Sequence, residues 1–148
     1  MLAMYHDYRV FNPARGFLCL NELEFGAPLM PPMSSIFRQK CMPGTYRSLV
    51  QEAHRFNGPE ALEKGLVDAL GAWPEVTALV AQKKLTAKGT TGILGTLRKS
   101  MFGETLEALN GNGSEAAQWF EEEQTRKEET SKKVQQLEAR EGKVKAKL

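Results

Sequence analysis

Glu22 and Glu24 stand two residues apart in an apolar run, residues 16–25, that stops in the Gly/Pro-rich stretch Gly26-Ala27-Pro28-Leu29-Met30-Pro31-Pro32. A strand-like segment that delivers a carboxylate to such a loop is suited to hold a site. Water is scarce among Leu, Phe and Met, and a carboxylate in such surroundings can work as a general base near neutral pH. The same pair also reads as the polar face of a half-buried strand, because most charged side chains are simply solvated. On a strand, Glu24 would point to the face opposite Glu22 and would be structural or solvent-facing.

The remaining reactive residue types are sparse. Cys19 and Cys41 form no Cys-x-x-Cys and read as reduced and incidental. His6 and His54 are far apart, so no metal-ligand spacing is visible. Asp7 and Arg9 read as a structural polar pair, and His6 as a satisfied core or edge histidine. At 148 residues, 41% apolar and 26% charged with a net charge of +2, the chain is at most one domain of ordinary size. Nucleic-acid binding would need a larger, clustered basic excess. No run reaches membrane-spanning length, and the apolar start is too short for a signal peptide and carries no basic leader.

The elements that would position Glu22 follow from local pattern. Residues 7–11 read as a strand, 12–16 as a turn and 17–21 as a second short strand. Residues 26–32 read as a loop and 33–40 as a short helix. Thr45 is a candidate N-cap for a helix running to Glu52 with Leu49 and Val50 inward. Asn57-Gly58-Pro59-Glu60 starts another helix, with Glu60 placed for a capping box and Gly65 as the C-terminal cap. Residues 66–69 read as extended. Trp73-Pro74-Glu75 opens a helix with Val76, Leu79 and Val80 as its stripe, broken by residues 86–92. A helix over about 93–109 puts Leu94, Leu97, Met101, Thr105 and Leu109 on one face. From Ser114 onward Glu, Lys, Arg and Gln dominate. A heptad through Phe120 places Glu123, Lys127 and Glu141 at core positions, so this reads as a solvated helix rather than a coiled coil. The organisation is therefore residues 1–110, then a charged, helical or disordered tail over 111–148.

Three segments in order carry a resemblance. His6-Asp7-Tyr8-Arg9-Val10, then Glu22-Leu23-Glu24-Phe25-Gly26-Ala27-Pro28, then Glu60-Ala61-Leu62-Glu63-Lys64-Gly65-Leu66-Val67-Asp68 resemble the crotonase (enoyl-CoA hydratase/isomerase) superfamily. The resemblance covers about residues 1–109 and looks most like the peroxisomal-type 3,2-enoyl-CoA isomerases. It implies an α/β fold, the C-terminal part of a crotonase-like fold with few short strands followed by mostly helices and the N-terminal half absent. It implies Glu22 as the catalytic glutamate and no cofactor, the substrate being a fatty enoyl-CoA, a coenzyme A thioester. Pro28, Leu29, Met30, Met33 and Phe37 would line the acyl site, and Met suits chains of varied shape. Lys83, Lys84 and Lys88 are candidates to meet CoA phosphates.

Hydratases of that superfamily use a second glutamate, and counting back from Gly65-Leu66-Val67 puts its position at Ser48, with Glu52 one helical turn away. Moving a double bond needs one base, whereas hydration needs a second group to orient and split water. The resemblance thus implies an isomerase of fatty-acid β-oxidation, with a hydratase or a non-catalytic fragment that binds full-length homologues as alternatives. The superfamily's adenine-binding loop and oxyanion-hole amides lie upstream of the matched region, so the chain reads as truncated or incomplete, and losing such donors costs about a hundredfold or more in rate. A trimer-type homo-oligomer is expected of the complete protein. Ala146-Lys147-Leu148 resembles the Ser-Lys-Leu signal read by the peroxisomal import receptor.

Overall fold

The computed structural model describes the backbone of residues 1–111 and 113–145, and the side chains of residues 1–111, 118 and 120–139. The chain divides into two compact units, residues 1–110 and 111–148.

The first unit is built around one parallel strand pair. After a 3-10 turn over Leu2–Tyr5, β1 (Val10–Phe11) pairs with β2 (Ala69–Leu70), with Val10 opposite Ala69 and Phe11 opposite Leu70. Parallel strands need a long crossover, and here it carries four helices: α1 (Glu22–Phe25), α2 (Pro31–Lys40), α3 (Pro43–Gln51) and α4 (Gly58–Glu63). Then follow α5 (Trp73–Gln82), α6 (Leu85–Lys88), α7 (Leu94–Met101) and α8 (Gly103–Asn110). The second unit is one helix, α9 (Gly113–Lys145), whose Phe120, Val134 and Leu137 are exposed. This is the α/β arrangement of few short strands and many helices expected above.

The crossover helices bury a common core. Ile36 and Phe37 of α2, Leu49 of α3 and Ala61 of α4 meet Met4, Leu20, Phe56, Leu66 and Val67. Pro31 and Pro32 open α2, where their missing N–H groups leave no helical bond unmade, and Arg38 and Lys40 sit in its last turn, favourable to the helix dipole. The α4 helix starts as its sequence dictates: Asn57 Oδ1 accepts the Glu60 N–H at 3.0 Å, and Pro59 sits in the first turn. Gly65 then adopts φ +70°, the left-handed conformation that closes the helix.

Several local expectations differ. The first strand is confined to Val10–Phe11. Residues 17–21 form no strand beyond one antiparallel bridge, Leu18 to Phe56, with both N–H to O bonds at 2.8 Å. The α3 helix starts at Pro43, so Thr45 lies inside its first turn, buried, rather than capping it. Glu60 completes no capping box, because its carboxylate turns to His54 instead. The long helix expected over 93–109 is two helices, broken at Phe102, whose ring turns inward to pack on the core. Thr105 alone of the expected stripe is buried; Leu94, Leu97, Met101 and Leu109 are exposed. A polar seam docks α8: Ser35 Oγ donates to Thr105 Oγ1 at 2.9 Å, Thr105 Oγ1 donates to Gln39 Oε1 at 2.7 Å, and Arg38 pairs with Glu104.

A glutamate cavity as candidate active site

Glu22 is placed by a helical turn, not by a strand end. The Asn21 carbonyl accepts the N–H groups of Glu24 (3.0 Å) and Phe25 (3.3 Å), and the Glu22 carbonyl accepts that of Ala27 (2.9 Å). Gly26, at φ +65°, ends the turn in a conformation that costs glycine little. Two residues on a helix are about 200° apart, at 3.6 residues per turn. Glu24 therefore faces away from Glu22 as it would on a strand, and lies exposed with Arg55 Nη2 at 3.5 Å. Arg55 in turn covers the Phe17 ring at 5.0 Å, which fixes the outer side of the segment.

The Glu22 side chain turns into a cavity of about 210 Å³ walled by Leu20, Leu23, Ala27, Pro28, Leu29 and Val50. Its Oε2 is buried and has no hydrogen-bond partner, the one such side-chain atom among the described residues. A buried polar atom left unpaired costs on the order of 1–3 kcal/mol, so the arrangement is made for something other than stability. Glu22 is the sole ionisable residue in the lining. A lone carboxylate with a free oxygen in an apolar recess can accept a proton from a bound carbon acid and give it back.

The structure separates the other expected site residues. Pro28 and Leu29 share the cavity with Glu22, whereas Met30 and Met33 are half-buried outside its lining and Phe37 is core, packed with Ile36 and Leu49. Val50, read as a packing residue of α3, also lines the cavity. Ser48, two residues earlier on α3, lines a different cavity of about 460 Å³ together with Glu52, His54 and Glu60. Neither Ser48 nor Glu52 thus reaches Glu22.

That second cavity holds a pairing the sequence did not announce. His54 Nε2 lies 2.7 Å from Glu60 Oε1, and the imidazole packs edge-on against Phe56 at 4.5 Å. Ser48 Oγ makes no hydrogen bond to His54 among the described residues, so no nucleophile–base relay is assembled. Asp7 and Arg9 also part company: Arg9 binds Asp68 (3.7 Å) and the Leu66 carbonyl (2.7 Å), and Asp7 pairs with Arg98 at 3.0 Å. His6 is exposed, and its carbonyl accepts from Lys40 at 2.7 Å. Burial pushes the Cys41 thiol up to about 11, which keeps it protonated and unreactive. No group of three or more His, Cys, Asp or Glu side chains gathers for a metal among the described residues. Nor is any helix there long and apolar enough to cross a membrane. Residues 146–148, the candidate import signal, lie outside the described residues.

No protein-family model matches the chain. Among curated proteins it is 30% identical over 115 residues to enoyl-CoA delta isomerase 2, peroxisomal, of Arabidopsis thaliana, covering 74% of this chain and 48% of that protein. It is 27% identical over 116 residues to enoyl-CoA delta isomerase 3 of the same plant, covering 74% and 49%. The chain thus spans about half the length of the curated relatives it matches. Among solved structures, an enoyl-CoA hydratase from Mycobacterium marinum matches with a TM-score of 0.59 at 21% identity, over 80% of this chain and 53% of the other. An enoyl-CoA hydratase/isomerase family protein from Pseudomonas syringae matches with a TM-score of 0.60 at 21% identity, over 72% and 49%. The solved structures share the fold, and on the sequence likeness the chain belongs to the crotonase (enoyl-CoA hydratase/isomerase) superfamily.

Proposed function

We propose that this chain carries the proton-shuttling glutamate of an enoyl-CoA isomerase of fatty-acid β-oxidation, with Glu22 as the base. The observation that carries the reading is the buried, unpartnered Glu22 Oε2 in an apolar recess that no second ionisable group enters. In a 3-enoyl-CoA the carbon between the thioester and the double bond is acidic. Glu22 takes one proton from it, the electron pair spreads over the thioester and the double bond, and the carboxylic acid returns the proton two carbons along. The product is the 2-enoyl-CoA, and no water is consumed. A hydratase needs a second group to hold water, and neither Ser48 nor Glu52 reaches this cavity. Leu29, Pro28 and Val50 would hold the acyl carbons next to the carboxylate.

Charge developing on the thioester oxygen needs fixed donors. In this reading those donors come from outside the apolar lining of the Glu22 cavity, and the protein assembles as a trimer-type homo-oligomer. The names of the two Arabidopsis relatives support the reaction, and one of them supports a peroxisomal site of action.

The test is an isomerase assay on 3-enoyl-CoA with the complete protein, following formation of the conjugated thioester. Glu22→Gln is expected to lower kcat by about 10²–10⁴-fold, the usual worth of a general base, with the unfolding transition retained. Retained turnover in the variant removes Glu22 from the role. Hydration without isomerisation in the parent protein assigns the hydratase. Neither reaction, with co-purification of a longer homologue, assigns the non-catalytic fragment.

A further inference from the structure

A cavity larger than that of Glu22 lies away from it. It has a volume of about 700 Å³, within the usual range for small-molecule pockets, and opens between residues 7–9 ahead of β1, the end of α2 and residues 83–102. The Glu22 cavity borders the start of α2 through Pro28 and Leu29, and this one borders its end through Gln39 and Lys40. Ten helical residues separate them, about 15 Å at 1.5 Å per residue.

Its lining has two parts. One part is cationic: Arg9, Lys40, Lys83, Lys88 and Arg98, against Asp7 as the sole carboxylate. Arg98 is paired with Asp7 and Arg9 with Asp68. That leaves three ammonium groups without a carboxylate partner among the described residues. Lys40 holds the His6 carbonyl at 2.7 Å and lies over the Phe102 ring at 4.7 Å, and Lys83 lies over the Tyr8 ring at 5.2 Å. The other part is apolar: Leu85, Ile93, Leu94, Leu97, Met101 and Phe102. Leu97 and Met101 are 54% and 66% exposed, a high fraction for large apolar side chains that line a concavity.

We propose that this cavity binds a single-chain anionic amphiphile, a long-chain carboxylate, with its head among Lys40, Lys83 and Lys88 and its alkyl chain along the Leu94–Leu97–Met101 face of α7. The chemistry is complementary on both counts. The carboxylate offsets like charges that the fold crowds together. Lys40 already feels that crowding, since its pKa is lowered, first by burial and next by Arg9. The alkyl chain covers apolar surface now open to water, at about 25 cal/mol per Å². A bilayer surface fits less well, because the charged and apolar side chains line one concavity rather than a flat face. The site is separate from the proposed function of Glu22 and stands or falls independently of it.

Isothermal titration calorimetry of the full chain with dodecanoate below its micelle concentration tests the proposal. The expected result is saturable binding that Lys83→Gln/Lys88→Gln weakens by about tenfold or more, the worth of a charge-assisted contact. Both lysines are exposed, so folding survives the change. Lys132→Gln/Lys133→Gln on α9 removes the same charge elsewhere and is expected to leave binding unchanged. Equal binding of dodecanol would overturn the role of the cations, and equal binding of inorganic phosphate that of the chain. Absence of saturable binding, equal weakening by the α9 pair, or binding only to anionic vesicles would each overturn the proposal as a whole.

Discussion

Cys41 and Glu22 illustrate how differently burial can be used. The Cys41 thiol is neutral when protonated, so burial pushes it up to about 11 and leaves a small, inert core residue. Glu22 turns an oxygen inward with nothing to bind it. An apolar side chain of similar length in that position would keep the contacts with Leu20 and Val50 and remove the unpaired oxygen. Glu22→Met is therefore expected to raise the unfolding free energy by about 1 kcal/mol, read from a urea melt, while removing any isomerase activity of the complete protein. A loss of stability instead would mean that the carboxylate makes a stabilising contact and is part of the packing. Glu22 was singled out from residue type and neighbours alone. Its free oxygen was not legible, because hydrogen-bond satisfaction depends on groups brought in from α3.

At the scale of elements, the two signals that bound α4 translated directly, whereas the Thr45 cap and the Glu60 capping box did not. Asn57 caps α4 and Gly65 ends it, since both act on backbone groups of their own turn. The cap also bears on the glutamate at a distance. It follows Phe56, whose backbone bridges Leu18, and two residues after Leu18 the chain reaches Leu20 in the wall of the Glu22 cavity. Asn57→Ala is expected to cost about 1 kcal/mol of stability and to speed hydrogen exchange at Leu18 and Phe56. Unchanged stability and exchange would show the cap to be dispensable. The turn that carries Glu22 was read as strand-like because one helical turn is too short to show a period. The long stripe over 93–109 failed for the opposite reason. Its period was sound, but the helix breaks at Phe102, whose ring packs on the core next to Gly103, a poor helix former.

For the molecule as a whole, membership of the superfamily rests on a sequence likeness that covers about half of each relative's length, and the fold on solved structures matched over a similar share. The strand pair in the first unit is two residues long on each side. Most of the stability therefore comes from the crossover helices packing on one another, with the sheet as a minor contributor. The proposed peroxisomal site of action has a test independent of folding. Residues 143–148 placed at the C-terminus of a fluorescent protein are expected to give punctate fluorescence that coincides with a peroxisomal marker. A diffuse signal would sink the import reading.

Residue types and short-range order by themselves determined the Asn57 cap, the left-handed glycine after α4, the candidate glutamate and the ordered motifs that resemble the superfamily. Each of these depends on groups within one turn of chain, or on motif order, which folding does not change. Tertiary structure alone decided which apolar residues are wall and which are core: Pro28, Leu29 and Val50 beside Glu22, Phe37 away from it. It also decided that Arg9 meets Asp68, that His54 meets Glu60, and that Lys40, Lys83 and Lys88 surround one cavity. Those pairings join residues of separate segments, and their geometry is set by how helices rotate and dock. Side-chain volumes and backbone hydrogen bonds across the whole unit govern that docking, and no local period records it.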